Sequence, residues 1–417
     1  MLFEMIDGLL TGAIDTLEHG PAYALDAAIN GCPSAERMLK SAAIDTYQAD
    51  KTEFQIDDGN SLTLSDETPL YAEDMGTTKE NMDVLCDVLE EEILKSGIDQ
   101  EQKKSMLKQL RKLCSTETNI MLVGATGCGK SSTINAMFAC SQKDDGQEKS
   151  YAEVAKVGSR VDPETKDIER YRIGNLILWD TPGLGDGTEV DQHHKDVIRE
   201  LLREQDPEGN ALIDLVLLIL DGSTRDLGTS YEILNDVILP ELGEETGRIL
   251  IALNQADIAM KMGRHWDYGK SEPDDTLTAF LEEKVCSIRN RIREDSKVDI
   301  TPVYYCAGYE EESGEVVYPY NLSKLLYYIL SALPAEKRAA VFTGINTAAE
   351  HYVHNDEEMD YNEGVAESFG SMADYIAEGI NNGAVAGFCA LGAPGAAVGM
   401  VLGAFTGGIK GILRHIF

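Results

Sequence analysis

One short segment constrains the fold of this chain more than any other. Gly124-Ala-Thr-Gly-Cys-Gly-Lys-Ser131 follows directly on the apolar run Ile120–Val123 and leads into a helical pattern. This is the full G-x-x-x-x-G-K-[ST] motif in the context that it requires, with a strand before it and a helix after it. Its glycines let backbone N–H groups surround a phosphate at the N-terminus of a helix, where the peptide dipoles favour negative charge.

The motif predicts a nucleotide site with defined roles. We expect the Lys130 ammonium to reach the β- and γ-phosphates and the Ser131 hydroxyl to ligate Mg²⁺. The predicted binding residues of this loop are Gly124, Ala125, Thr126, Gly127, Cys128, Gly129, Lys130, Ser131 and Ser132. Cys128 is either a redox-sensitive thiol or a bystander at a position that the loop uses for its backbone, and we favour the bystander.

Short apolar runs alternate with helical patterns after Asn119. The runs are Ile120–Val123, Leu176–Trp179, Leu212–Leu220, Ile249–Leu253 and Val303–Tyr305. This alternation predicts an α/β fold with a mostly parallel sheet that helices cover on both faces. Residues 168–173 instead precede Gly174-Asn175, a tight-turn signal, and then the run Leu176–Trp179. We therefore expect one antiparallel edge strand in a mixed sheet.

Length and charge set the organisation of the chain. At 417 residues, it exceeds the size of about 250 to 300 residues at which a single core usually stops growing. We predict an acidic accessory segment at 1–80, a helical lead-in at 81–111, a nucleotide-binding domain at 112–333 and a helical region at 334–417. With 73 acidic and 36 basic residues, the net charge of -37 argues against nucleic acid as a partner.

A second motif, Asp180-Thr-Pro-Gly183, stands at the end of the run Leu176–Trp179. It fits the D-x-x-G that follows a hydrophobic strand in switch nucleotidases. We expect the Asp180 carboxylate to hold Mg²⁺ through water and the Gly183 amide to bond the γ-phosphate. Loss of that phosphate would release the following loop, which turns hydrolysis into a conformational signal.

The third motif concerns the base. Asn254-Gln-Ala-Asp257 follows the run Ile249–Leu253 and is close to N-K-x-D, with Gln255 in place of lysine. A carboxylate at Asp257 can accept from both N1–H and the 2-amino group of guanine, and adenine offers neither donor. Gln255 can lay only part of its stem along the base, so we expect weaker but unaltered recognition. A purely structural Asn-x-x-Asp turn is the alternative.

The segments Thr126-Gly-Cys-Gly-Lys-Ser-Ser-Thr-Ile-Asn-Ala136 and Leu178-Trp-Asp-Thr-Pro-Gly-Leu-Gly185 resemble those of the Era-like P-loop GTPases. Within that group they are most similar to the YfjP/YeeP-type bacterial GTPases, and more distantly to immunity-related GTPases. The resemblance covers residues 100–333 and implies a Ras-like domain that binds GTP with Mg²⁺. It also implies that Thr165 is the switch threonine over Mg²⁺ and the γ-phosphate, and that Cys306-Ala307 contacts guanine. An ordinary loop threonine is the alternative for Thr165.

Two departures from relatives bear on turnover. Leu184 stands where Ras-type enzymes carry the glutamine that orients the attacking water, so intrinsic hydrolysis should be slow. His193 and His194 are candidates for that task, although a histidine pair is more often a solvated helix start. Gly127 stands where some relatives carry the asparagine linked to potassium activation, so potassium is not invoked.

The C-terminal segment 379–409 has no charged residue, and glycines recur in it every four positions at Gly395, Gly399, Gly403 and Gly407. Such a row gives a helix a flat face that another helix can approach closely. Pro394-Gly395 divides the segment, so two half-length helices forming a hairpin fit better than one span. Membrane contact and a soluble helical or oligomer interface remain open alternatives.

These observations lead to a GTP-binding switch with slow Mg²⁺-dependent hydrolysis that controls the flanking helical regions, by dimerisation or at a membrane. The alternatives are a GTP-dependent interaction or scaffold protein with negligible turnover, and an ATP-driven enzyme if Gln255 signals lost guanine selectivity. The chain opens without a basic-then-apolar signal, and its eight cysteines lack zinc-like spacing. We therefore expect reduced thiols and a cytoplasmic location, peripheral to or inserted in the inner membrane if segment 379–409 meets lipid.

Overall fold

The structure is a computed structural model that describes residues 53–55, 61–63, 78–96, 98–138, 140–141, 151–152, 168–184, 188–260, 263–310, 316–346, 348–378 and 413. The predicted switch residue Thr165, segment 379–409 and most of the accessory segment lie outside these residues. The described residues fall into two compact units that divide inside a helix, between Leu110 and Arg111. The second unit continues to Tyr375 and contains every site described below.

The strands are short outside the central sheet. In chain order they are β1 (Glu53–Gln55), β2 (Ser61–Thr63), β3 (Thr118–Gly124), β4 (Cys140–Ser141), β5 (Tyr151–Ala152), β6 (Glu169–Ile173), β7 (Leu176–Asp180), β8 (Leu215–Asp221), β9 (Ile249–Asn254), β10 (Trp266–Asp267), β11 (Glu272–Pro273), β12 (Val303–Tyr304), β13 (Tyr309–Glu310) and β14 (Val316–Val317).

The helices follow the same numbering scheme. They are α1 (Thr78–Lys95), α2 (Gln100–Ser115), α3 (Lys130–Met137), α4 (Thr188–Arg203), α5 (Gly228–Ile233), α6 (Leu239–Leu242), α7 (Asp275–Ser296), α8 (Leu322–Ala332), α9 (Ala335–Gly344), α10 (Tyr361–Gly370) and α11 (Met372–Glu378). A π-helical turn, Leu234–Ile238, joins α5 to α6.

The central sheet has six strands in the order β12-β9-β8-β3-β7-β6. Its neighbours pair in parallel except β6, which pairs antiparallel with β7 from Glu169 opposite Asp180 to Ile173 opposite Leu176. The predicted mixed α/β fold with an antiparallel edge strand is confirmed. Gly174 takes a φ of 58° in the connecting turn, a conformation that glycine adopts without steric cost.

The strands β3, β8 and β9 lie inside the sheet and are buried along almost their whole length. Burial on both faces explains why they read as continuous apolar runs. Parallel strands also bring their carboxyl ends to one edge. Gly124, Asp180 and Asn254 end β3, β7 and β9, so the three motifs meet at that edge of the sheet.

One finding differs from the expectations. Cys86 and Cys114 each take part in a disulfide, whereas Cys128, Cys286 and Cys306 are free thiols, so the prediction of reduced thiols is wrong for Cys86 and Cys114. Pairing depends on the distance between Cα atoms in the fold, which cysteine spacing does not reveal. Within the described part of the chain, no helix combines the length and the apolar character needed to cross a membrane.

Candidate nucleotide-binding site

The loop between β3 and α3 has the conformation that a phosphate cradle needs. Gly127 and Gly129 take φ values of 77° and 93°, and Gly129 forms the N-cap of α3. A Cβ at Gly129 would lie 2.1 Å from Asn254 Nδ2, so the position requires glycine for its backbone conformation and for space. Cys128 is fully buried, and burial raises the pKa of its thiol. That environment favours the bystander interpretation over a reactive thiol.

Lys130 lies inside this loop and is 8% exposed. Its Nζ is 3.3 Å from the carbonyl oxygen of Gly124 and 3.4 Å from that of Ala125, both neutral acceptors at long range. A buried ammonium is costly unless it meets a strong anionic partner. The polyphosphate of a nucleotide supplies such a partner at this point.

Asp180 and Ser131 meet beside Lys130. The Ser131 hydroxyl donates to Asp180 Oδ2 at 2.8 Å, which joins the first and second motifs. The other carboxylate oxygen, Oδ1, is buried and has no hydrogen-bond partner among the described residues. Burial raises the pKa of Asp180, while the Lys130 charge and the Ser131 hydroxyl oppose that rise. A serine hydroxyl and a carboxylate with an unshared buried oxygen fit the hard oxygen ligation that Mg²⁺ prefers.

The Gly183 segment, which comprises Gly183 and Leu184, lies directly against the loop between β3 and α3, called the phosphate loop below. Thr126 N–H donates to the carbonyl of Leu184 at 3.0 Å, and Leu184 N–H donates to that of Gly124 at 3.4 Å. A Cβ on Gly183 would lie 2.6 Å from Thr126 Cα and 2.8 Å from its nitrogen. Any side chain at position 183 would collide with the backbone of Thr126, so this position requires glycine.

Asn254 connects two loops of the site. Its side chain is 3% exposed, and Nδ2 donates to the Cys128 carbonyl at 3.0 Å while Oδ1 accepts from Ala307 N–H at 3.1 Å. One amide thus ties the phosphate loop to the Cys306-Ala307 loop across the end of β9. The predicted third motif and the loop implied by resemblance are neighbours in space.

Asp257 lies beside Cys306 and is 2% exposed. The Cys306 thiol donates to Asp257 Oδ1 at 3.3 Å, and burial keeps the pKa of that thiol well above its usual range, so it remains a donor. The Tyr309 hydroxyl also hydrogen-bonds the Asp257 carboxyl group. Burial raises the pKa of Asp257, and the donors from Cys306 and Tyr309 oppose the rise. The backbone N–H groups of Asp257 and Ile258 also hydrogen-bond this carboxyl group. A carboxylate offers about four lone-pair positions, so the two donors of guanine would replace some of these four internal donors.

Gln255 occupies the position where lysine is usual. Its backbone is left-handed, with a φ of 60°, and its Nε2 donates to the Gly127 carbonyl at 2.8 Å. The side chain therefore lies along the phosphate loop and supplies a neutral donor to it.

We expect Gln255→Lys to tighten GDP binding by roughly 3- to 10-fold, because a charged donor to the Gly127 carbonyl is about twice as strong as a neutral one. The preference for GDP over ADP should stay unchanged, since Asp257 is untouched. Fluorescent nucleotide titration of both variants measures both quantities. A lysine variant that binds GDP no better than the original chain would contradict this interpretation of Gln255.

The structure places the described site residues around one edge of the sheet. Thr165 is outside the described residues, so its predicted role stays a prediction. Sequence reasoning missed two tyrosines. Tyr309 reaches Asp257, and the Tyr305 hydroxyl lies 2.6 Å from Thr133 Oγ1, which itself donates to the Gly129 carbonyl. Their only signal was proximity in sequence to Cys306.

Residues 119–255 match the family model described as a 50S ribosome-binding GTPase. The match covers the first two motifs and ends inside the third, before Asp257. Together with the fold, it supports a P-loop GTPase and the binding of GTP.

Two Escherichia coli (strain K12) proteins are similar in sequence. YfjP is 31% identical over 169 residues, which are 39% of this chain and 50% of YfjP. YkfA is 30% identical over 159 residues, which are 37% of this chain and 47% of YkfA. The match thus spans about half the length of these relatives. The crystal structure of Toc33 from Arabidopsis thaliana with Mg²⁺ and GMPPNP has a TM-score of 0.34 and 17% identity, covering 59% of this chain and 94% of Toc33.

Proposed function

We propose that this chain is an Era-like GTPase that binds GTP with Mg²⁺ and hydrolyses it slowly. The observation that carries the proposal is the position of Asn254, whose amide joins the phosphate loop at Cys128 to the loop at Ala307. Asp257 follows in the same segment with a buried carboxyl group. A phosphate-binding loop close to a buried carboxyl group that can accept from guanine supports a guanine nucleotide as the ligand.

Ser131 and Asp180 would hold Mg²⁺, with Thr165 as the proposed third contact. The Ser131 hydroxyl would ligate the ion, and the unshared Oδ1 of Asp180 would hold it through water. When bound, Mg²⁺ neutralises charge on the β- and γ-phosphate oxygens. Lys130 would neutralise the same oxygens, and the Gly183 N–H would contact the γ-phosphate.

Hydrolysis transfers the γ-phosphoryl group to water, so that GTP and water give GDP and phosphate. Leu184 follows Gly183, is 1% exposed and holds the phosphate loop through its backbone. An apolar side chain cannot orient the attacking water, and this supports a low intrinsic rate. The same observation favours the second candidate function, a GTP-dependent interaction or scaffold protein with negligible turnover.

Single-turnover hydrolysis of GTP by the purified chain separates the two functions. We expect slow release of phosphate in Mg²⁺, complete loss of release in excess EDTA, and loss in Lys130→Ala. Phosphate release that continues in EDTA would contradict the proposed Mg²⁺ dependence. Release no faster than from buffer, with GTP still bound, would leave the scaffold function as the better account.

We further propose that the GTP state controls the flanking helical regions, by dimerisation or by membrane contact of segment 379–409. The proposal rests on the uncharged, glycine-rich composition of that segment. The oligomeric state in a GTP analogue and in GDP tests dimerisation. Sedimentation with liposomes in the same two states tests membrane contact.

A further inference from the structure

His194 lies on the buried face of α4, which begins just after the Gly183 segment. It is 6% exposed and shares that face with Ile198, Leu201 and Leu202, which follow it at helical spacing. The preceding residue, His193, is exposed. The two histidines are therefore not a solvated pair, because one points into the core.

The buried imidazole has a specific partner. Its Nδ1 lies 3.1 Å from the carbonyl oxygen of Gly183. A carbonyl oxygen only accepts, so Nδ1 carries the hydrogen and donates it. This bond satisfies a polar group on an otherwise apolar helix face, and burial makes the loss of the bond costly.

The same contact completes a set of bonds around one peptide group. His194 donates to the carbonyl of the Gly183–Leu184 peptide, and the N–H of that peptide donates to the Gly124 carbonyl. The next carbonyl, that of Leu184, accepts from Thr126 N–H. Helix α4 and the phosphate loop thus hold the segment of Gly183 from opposite sides.

We propose that His194 is a positioning residue that holds Gly183 within reach of the γ-phosphate and couples that contact to helix α4. The inference rests on the proposed function, in which Gly183 N–H binds the γ-phosphate. GDP has no γ-phosphate and does not need Gly183 in place. His194 therefore determines the preference for GTP over GDP, while the affinity for GDP depends on the phosphate loop and Asp257.

Two substitutions separate the hydrogen bond from the space that the ring fills. His194→Leu keeps an apolar volume and removes the donor. His194→Asn places an amide N–H₂ at the same distance from Cβ as Nδ1 and keeps the donor. His193→Leu, one residue earlier on the exposed face, is the matched control.

The dissociation constants of a non-hydrolysable GTP analogue and of GDP are measured for each variant. We expect His194→Leu to weaken analogue binding by roughly 3- to 10-fold with unchanged GDP binding, as for one lost hydrogen bond. His194→Asn and His193→Leu should keep the original ratio. The inference is overturned if His194→Leu keeps the original preference for the GTP analogue over GDP. It is also overturned if a folded His194→Asn variant has a reduced preference, and this second test holds even where His194→Leu fails to fold.

The outcomes distinguish this inference from the proposed function. If the original chain binds no GTP analogue, the proposed function and the inference both fail. If it binds the analogue and His194→Leu keeps the same preference, only the role of His194 fails.

Discussion

Lys130→Ala is expected to abolish tight GTP binding. The side chain is buried, and its ammonium lies 3.3 and 3.4 Å from two carbonyl oxygens of its own loop. Removing one member of a buried charged pair typically costs about 2 to 5 kcal/mol, which is roughly a 30-fold to several-thousand-fold loss of affinity. Isothermal titration with GTP and GDP measures this loss.

Lys270→Ala is the matched control, because the Lys270 side chain is 69% exposed and pairs with Glu272 at the surface. This variant should bind GTP like the original chain. Thermal unfolding of both variants shows whether the fold is retained. GTP affinity that survives in a folded Lys130→Ala protein would remove the assignment of the phosphate loop.

Asp257→Asn should relax the preference for guanine. The amide can accept on one atom only and presents its own N–H₂ towards the guanine donors, so at least one donor is left unpaired. An unpaired buried group costs about 1 to 3 kcal/mol, or roughly 5- to 150-fold in affinity. Competition among GDP, XDP and ADP measures the change. A variant in which GDP still outcompetes the other two as before would refute the role of Asp257 in base recognition.

The pH dependence of GDP binding, compared between the original chain and Asp257→Asn, gives a second test of the role of Asp257. Burial raises the pKa of Asp257, and only the ionised carboxylate accepts both guanine donors. The affinity for GDP is therefore highest above the raised pKa of Asp257, and it falls as the pH drops through that pKa. Asp257→Asn lacks this ionisation, so the difference in pH dependence between the two proteins isolates the carboxyl group.

The sheet was largely predictable because the buried strands are apolar and alternate with helices. One predicted strand boundary, the start of β3, is wrong because the buried residues at that end of the strand are polar. β3 begins at Thr118, two residues before the apolar run, and Asn119 is buried there because Asp214 and Trp179 satisfy its amides. Hydrophobic patterns stop at such residues, since their burial depends on partners that are distant in sequence. The start of β8 was misplaced for a different reason: Leu212 and Ile213 are apolar and Ile213 is buried, but the strand begins only at Leu215.

The site was predictable to the extent that its residues sit in motifs. Gly124 to Ser131 and Asp180 to Gly183 were identified from spacing alone. The double hydrogen bond of Asn254 and the burial of His194 were not, because each depends on which loops the fold brings together. The bond of Asn254 reaches Cys128, at a sequence separation of 126 residues. Local patterns carry no information at that range.

The close contact between Gly129 and Asn254 limits how this sequence can change. Any side chain at Gly129 collides with the Asn254 amide, and only a smaller residue at 254 would make room. A smaller residue would leave the Cys128 carbonyl and the Ala307 amide unpaired inside the protein. A substitution at position 254 therefore cannot rescue one at position 129, and the reverse also holds. In a library of double variants, we expect changes at these two positions to be tolerated only when both neighbouring loops are redesigned as well.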